Sequence, residues 1–173
     1  MNEKDLQARI AWHIMHKQKH EMLTFNIAWI LPFECDVASI DTKGWLHEYE
    51  IKVTAADFRK DFDKSFSGFD RNGQVIEYNK HELLQDGLAV NKIPNRFSFV
   101  CPDGLIDPKD VPDYAGLYFV NESGVVKKIR AGKIIHKFVD PGHAKAVARN
   151  VSLKYASLHR KLSLEKQNVQ FIS

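Results

Sequence analysis

Apolar residues open the chain at helical spacing. Leu6, Ile10 and Ile14 stand at i, i+4 and i+8, which predicts a helix over residues 3–20. Asn2 is placed to cap it, with Asp5 three residues further on. Residues 25–31 (FNIAWIL) form an apolar run of strand length stopped by Pro32. Polar and apolar positions then alternate in FECDVASI and WLHEYEIKV, on either side of Asp41-Thr42-Lys43-Gly44, as in a β-hairpin around a glycine-bearing turn. Thr54 with Asp57 three residues later opens a helix reaching Lys64. The Gly-, Ser- and Asn-bearing stretch 65–74 reads as a flexible insertion, followed by a helix over 75–85 that Asp86-Gly87 ends. NRFSFVC (95–101) and LYFVN (117–121) are strands, and VVKKIRAGKIIHK reads as a hairpin turning at Ala131-Gly132. A last helix over 141–165 carries Ala148, Val151, Tyr155, Leu158 and Leu162 on one stripe, which predicts that one of its faces packs inward. The order α-β-β-β-α-α-β-β-α implies an α/β protein with a mixed sheet flanked by helices.

Composition agrees with one soluble unit. The 173 residues are 44% hydrophobic and 27% charged, which excludes disordered, collagen-like and disulfide-stapled chains. We expect a single domain over 1–173, with a core at 1–139 and a helical extension at 140–173. No run approaches the roughly 18 apolar residues of a membrane span, and MNEKDLQARIAW lacks the apolar segment of a secretory leader. Cys35 and Cys101 alone cannot build a disulfide framework, so a reducing, cytoplasmic setting is expected. The net charge of +3 is small, but it is unevenly spread. Residues 143–173 hold Lys145, Arg149, Lys154, Arg160, Lys161 and Lys166 against Glu165, while the rest of the chain is slightly acidic. A basic last helix serves a polyanion or is simply a solvated face.

The chemistry concentrates in residues 34–52. On a strand Glu48, Glu50 and Lys52 share one face, and His47, Tyr49, Ile51 and Val53 the other. If Ile40 pairs with Leu46, Asp36 falls opposite Glu50 and Glu34 opposite Lys52, all on one face; a slip of one residue would separate them. Four carboxylates gathered this way call for a compensating cation. Hard oxygen donors select Mg²⁺ or Mn²⁺, and a lysine beside a ligand carboxylate is placed to orient an attacking water. The plain alternative is an amphipathic hairpin whose charged face merely covers a core.

Asp36 followed by Glu50-Ile51-Lys52 resembles the Asp…(Asp/Glu)-x-Lys core of the PD-(D/E)XK nuclease superfamily, with Cys35 where the motif's name has proline. ECDVASIDTKGWLHEYEIKVTAADFRKDF is similar to a branch of phage and bacterial nuclease-like DNA-repair proteins, in which Glu-x-Lys runs into Ser/Thr-x-x-Asp-Phe-x-x-Asp; here those are Glu50, Lys52, Thr54, Asp57, Phe58 and Asp61. Lys80-His81-Glu82-Leu83 and NRFSFVCPDGLI…VPDYAGLYFV extend the likeness over residues 3–121. It implies a restriction-endonuclease-like fold that cuts DNA phosphodiesters with Mg²⁺ or Mn²⁺. Asp36 and Glu50 would ligate the metal with the Ile51 carbonyl, and Lys52 would position water and stabilise charge on the phosphate. Glu3 would add a carboxylate from the first helix, with Asp5 as rival, although a first-turn acid also suits the helix dipole. Glu34 and Glu48 share the face but lie outside the motif.

Lys64, Lys80, His81, Arg149, Arg160 and Lys161 are the candidate contacts to DNA, with Asp61 and Lys64 read as a surface pair or as reaching the backbone. His16 and His20 could bind a metal from one helix face, but no acid or cysteine with zinc-site spacing accompanies them, so His13, His16 and His20 read as surface or boundary histidines. Trp12, Trp29 and Trp45 are expected to pack in the core or on the sheet. A homodimer would allow two coordinated cuts. The rival function is a DNA-binding module of the same fold that recruits repair proteins without cutting.

Overall fold

The computed structural model describes residues 1–28, 30–69 and 72–170, and side chains as far as 163. Helix α1 (Glu3–His13) starts in a reciprocal cap: Asp5 N donates to Asn2 Oδ1 at 2.9 Å and Asn2 N to Asp5 Oδ2 at 3.3 Å. Its apolar stripe, Leu6, Ile10 and Ile14, is fully buried. The expected helix to residue 20 widens instead into a π-helical turn at Ile14–Gln18, closed by Lys19 at φ 60°. That turn brings Gln18 Nε2 to the Tyr118 hydroxyl at 3.0 Å, giving a buried polar group its partner.

A six-stranded sheet follows, built from β1 (Met22–Ile27), β2 (Cys35–Ile40), β3 (Leu46–Ile51), β6 (Arg96–Pro102), β7 (Ala115–Val120) and β8 (Val126–Arg130), in that spatial order. Strands β1, β2 and β3 are mutually antiparallel, β3–β6 and β6–β7 are parallel, and β7–β8 is antiparallel. The chain is therefore an α/β protein with a mixed sheet, as its patterning predicts. The first strand lies earlier than the apolar run 25–31, because pairing of Met22 with Ile40 and of Ile27 with Cys35 decides its ends. Ile30 and Leu31 are buried as a loop cap, and Trp29 lies outside the described residues.

The crossover from β3 to β6 carries α2 (Ala55–Asp61), a separate two-stranded sheet of β4 (Ser65–Phe69) and β5 (Val75–Asn79), and α3 (Lys80–Asp86). The expected insertion at 65–74 and helix at 75–85 are thus corrected to a hairpin and a shorter helix. Asn79 sets the boundary. Its Oδ1 accepts from the N–H groups of His81 (2.8 Å) and Glu82 (3.1 Å), so α3 begins only after it.

The expected turn at Ala131-Gly132 is absent. The hairpin is β7–β8, and the chain beyond Arg130 has no regular structure up to α4 (Pro141–Gln170). Gly132 is there for close approach: a Cβ would sit 2.6 Å from the Phe97 carbonyl oxygen. The following segment is held by Asn95, 1% exposed. Its Oδ1 accepts from Leu46 N (2.8 Å), and its Nδ2 donates to the carbonyls of His136 (3.0 Å) and Phe138 (2.8 Å).

Among the described side chains α4 buries His143, Val147 and Asn150 near its start, with Asn150 Oδ1 accepting from Thr24 Oγ1 at 2.7 Å, and Lys154 Nζ donates to the Phe25 carbonyl. The stripe of Val151, Tyr155, Leu158 and Leu162 is exposed, correcting the expectation that it faces inward. The inward face of α4 is instead the one that carries His143, Val147 and Asn150. Trp12 is 57% exposed rather than buried, and Trp45 is half-buried. His20 is buried against Ser39 Oγ at 2.8 Å, so the expectation of a surface histidine fails there. Among the described residues no helix is long and apolar enough to cross a membrane.

Three apolar clusters hold the layers. One lies between α1 and one face of the sheet, at Val37, Tyr49, Ile51 and Val100. The other face carries two: Phe97, Phe99, Leu117 and Phe119 with Phe58 and Leu84, and Ala38, Ile40 and Leu46 with Val147. Replacing Asn95 with Ala would leave several buried backbone groups without partners and should destabilise the protein by about 2–3 kcal/mol. Denaturant titration checks this through a lower midpoint at unchanged slope.

Candidate active site

The seam between those two clusters is the charged face of β3. Strand β2 pairs with β3 in the expected register, Val37 with Tyr49 and Ile40 with Leu46. Continued one step beyond the Val37–Tyr49 pair, that register sets Asp36 beside Glu50. On the other side Glu48 pairs with Phe97 and Glu50 with Phe99, so both carboxylates stand in a row beside an aromatic core. Glu34 lies beyond the end of the strand and is exposed. The structure does not bring it to the site.

Glu48, Glu50, Lys52, Asp61 and Lys80 are each 2% exposed or less. Such a group of charges survives burial only if every member is matched. Lys80 Nζ donates to Glu48 Oε1 at 2.6 Å and Glu50 Oε2 at 2.9 Å. Lys52 Nζ donates to Glu50 Oε1 at 3.0 Å and Asp61 Oδ1 at 2.8 Å. Lys64 contacts the same two oxygens, Glu50 Oε1 and, at 2.7 Å, Asp61 Oδ1, with its side chain 37% exposed. Lys64 thus closes the cluster toward solvent. His81 Nε2 donates to Asp61 Oδ2 at 2.8 Å, which leaves Nδ1 to accept from the Tyr114 hydroxyl at 2.6 Å.

Electrostatics follow from these partners. Burial opposes ionisation of Asp61, but His81, Lys80, Lys52 and Lys64 hold its carboxyl far below the usual carboxylate range. Burial likewise opposes the charge of Lys80, yet Glu48, Glu50 and Asp61 raise its pKa well above the ordinary lysine value. Burial acts against Glu50 too, with Lys80 prevailing to bring it below the usual value. Asp36 behaves oppositely. Burial, and then the negative charge of Glu50, raise its carboxyl to about 7 despite the Ile51 N–H, Lys64 and Lys52. Its Oδ2 accepts from Ile51 N at 2.7 Å, and no ammonium forms an ion pair with it among the described residues.

Among the described residues Glu48, Glu50 and Asp61 meet the ammonium groups of Lys52, Lys64 and Lys80, and the partly exposed Asp57 carboxylate stands 3.8 Å from Lys52 Nζ. Half-buried Asp36 has no ammonium partner among the described residues and keeps its proton up to about pH 7. Among the described residues no three His, Cys, Asp or Glu side chains form a ligand group. A hard divalent cation, however, needs only one or two carboxylates, with water filling the shell. The donor set of Asp36, Glu50 and the Ile51 carbonyl between them fits such an ion, provided that Lys64 withdraws from Glu50 Oε1.

Several candidates fall elsewhere. Glu3 is exposed and meets Gln7 Nε2 at 3.3 Å. Buried Gln7 is the residue of α1 that reaches the site, with Nε2 at 2.7 Å from Asn26 Oδ1 and 3.5 Å from the Asp36 carbonyl oxygen. Asp5 is occupied by the helix cap. Lys80 and His81, expected to meet DNA, are interior instead, held by the carboxylates of Glu48, Glu50 and Asp61. Asp61 is likewise no surface residue. Arg149, Arg160 and Lys161 are exposed on α4. Sequence reasoning missed Gln7 and Tyr114 outright. Asp61 alone left a signal, standing three residues after buried Phe58 on the inward face of α2.

No protein-family model matches the chain, and no curated protein matches it. Among solved structures it is similar to the SPO1766 protein of unknown function from Silicibacter pomeroyi, at 15% identity and a TM-score of 0.61, covering 94% of this chain and 92% of that one. That likeness is one of fold.

The raised Asp36 carboxyl makes a test. Folded Asp36 holds its proton up to about pH 7, whereas its ordinary value is 3.8. The folded state therefore binds more protons between those values, and Asp36 erodes stability as pH rises through that window. Asp36→Asn keeps an acceptor for Ile51 and removes the penalty. It should melt above wild type at pH 8, by roughly 2–4 °C per kcal/mol relieved, and level with it at pH 4. Differential scanning calorimetry at both pH values reads the difference.

Proposed function

We propose that the protein is a metal-dependent nuclease that hydrolyses DNA phosphodiester bonds with Mg²⁺ or Mn²⁺, serving DNA repair, recombination or phage DNA processing in a bacterial or phage-infected cytoplasm. The observation that carries this reading is Asp36 set beside Glu50, its carboxyl on the Ile51 N–H at 2.7 Å, with Lys52 Nζ 3.0 Å from Glu50 Oε1. A divalent ion held by Asp36, Glu50 and the Ile51 carbonyl would supply Lewis acidity and acidify water.

The chain's own groups do the rest. Glu50 orients Lys52, and Asp61, fixed by His81 and Tyr114, holds it from the other side. An ammonium has three donors. Two are given to Glu50 and Asp61, and the partly exposed Asp57 carboxylate, 3.8 Å away, competes with a water or a phosphoryl oxygen for the third. Lys52 is buried behind Lys64, so withdrawal of Lys64 uncovers both the ligand oxygen of Glu50 and the Lys52 donor. Arg160 and Lys161 on exposed α4 suit backbone phosphates, which position DNA without reading its sequence. A second copy of the chain would permit cuts on both strands.

One observation favours the rival reading of a silent DNA-binding module. Both oxygens of Glu50 already meet ammonium groups, so the cluster is nearly complete without a metal. Labelled single-stranded, duplex, flapped and branched DNA with Mn²⁺ decides between them. Wild type should cut at least one substrate. Lys52→Ala should lose about 10²–10³-fold, and Glu50→Gln should abolish cutting. Titration calorimetry should show one Mn²⁺ site that Glu50→Gln removes and Lys64→Ala tightens. DNA binding with neither cutting nor a carboxylate-dependent Mn²⁺ site would establish the module instead.

A further inference from the structure

A second concave surface lies beyond α1, on the side of the sheet away from the carboxylate row. It is a groove of about 650 Å³ between the outer face of α1 and the β7–β8 turn, lined among others by Arg9, Trp12, His13, Lys17, Gly124 and Val125. Trp12 is 57% exposed and Val125 60%, so the floor of the groove is an uncovered indole beside an aliphatic side chain. The rest of the fold does not account for this exposure, since a tryptophan contributes most when buried.

One ammonium and one imidazole ring lie against the indole. Lys17 Nζ lies 5.8 Å from the Trp12 ring centroid, and the His16 ring stacks 4.9 Å from it at a 32° tilt. Gly124, at φ +79°, lets the Arg9 side chain lie against the turn: a Cβ there would stand 2.4 Å from Arg9 Cζ. Among the described residues neither Arg9 nor Lys17 forms an ion pair with a carboxylate. Lys128 approaches from β8, its Nζ 5.6 Å from the Tyr118 ring centroid, with the His13 ring 6.0 Å from the same ring. Burial first, and then the charges of Lys128 and Lys17, hold the His13 pKa below its ordinary value, as expected where positive charge converges. The acid within the groove is Asp5, already engaged by Asn2 in the helix cap. Glu122 and Asp103 line the adjoining hollow.

We propose that this groove binds a nucleoside phosphate unit, with its base on the exposed part of Trp12 and its phosphate held by Arg9 and Lys17. An exposed aromatic face beside cations without carboxylate partners is how proteins hold unpaired bases. The unit can come from a free nucleotide or from a strand of single-stranded nucleic acid. The site is separate from the proposed nuclease centre and does not depend on it.

Titration of tryptophan fluorescence in the full chain with an eight-residue oligothymidylate, with dTMP and with inorganic phosphate tests the proposal. Saturable quenching by the oligonucleotide or by dTMP is expected, and the tighter of the two identifies the source. Trp12→Phe should remove the quench. By fluorescence anisotropy with labelled ligand, Trp12→Ala should weaken binding about 5- to 100-fold. Lys17→Gln should weaken it and flatten its salt dependence. Glu50→Gln should change none of this, so failure of the nuclease reading leaves the result intact. The proposal is overturned if quenching persists unchanged in Trp12→Phe, if phosphate alone competes fully, or if neither nucleotide ligand binds. Trp12 is exposed, so its variants should melt with wild type, and a matched melt excludes misfolding.

Discussion

Glu48 and Glu50 sit next to each other on the central strand, almost sealed from water and beside Phe97 and Phe99. Neither could remain there as an anion without the ammonium of Lys80, which reaches both. Lys80 opens α3, so the requirement fixes where that helix must lie. Asp61 closes α2, and its contacts with Lys52 and His81 fix α2 in turn. The crossover between β3 and β6 is thus positioned by matched charge as much as by Phe58 and Leu84 on the apolar side. A network of this kind is a poor source of net stability, because desolvation consumes most of the Coulomb gain. Its value lies in leaving one arrangement in which every buried charge has a partner.

The same matching explains why Asp36 stands out. Every carboxylate sealed inside meets an ammonium, while the one at the solvent edge has only a backbone N–H and a like-charged neighbour. A protein built for stability alone would have a neutral residue here. Retaining a carboxylate whose ionisation weakens the fold is the pattern expected of a group held for a cation or a proton.

The sequence exposed the local half of this. Alternation on both sides of the Asp41–Gly44 turn was enough to place Asp36 across from Glu50, because a one-residue slip would have buried the wrong face. Asn2 and Asp5 announced the start of α1 in the same local way. What stayed hidden depends on residues distant in sequence. Nothing near Lys80 marks it as interior; Glu48 and Glu50, which hold it, are on another strand. Gln7 looked like an ordinary helix residue until Asn26 and Asp36 arrived beside it. Ser, Gly and Asn dominate the turn signal over 65–74 and hide strand β4, and the helix expected from Val75 hides β5, although Phe66 and Tyr78 pair across the hairpin. The stripe on α4 is periodic and yet uncovered, which shows that amphipathic spacing predicts a helix better than it predicts what the helix packs against.

That hairpin links the cluster to its surface. Lys80 N donates to the Lys64 carbonyl at 2.8 Å, so the two lysines form the base of the β4–β5 ladder and bring their ammonium groups to the same Glu50. They differ in their surroundings: Lys80 is sealed in, and Lys64 is open on one side. An isolated two-stranded sheet has little stability of its own, and this one exposes Phe69 and Val75 rather than burying them. The segment carrying Lys64 is therefore the part of the site with the fewest buried contacts, where local opening takes least free energy. Of the three ammonium groups on Glu50, the one that faces solvent is thus attached to the least buried element around the cluster.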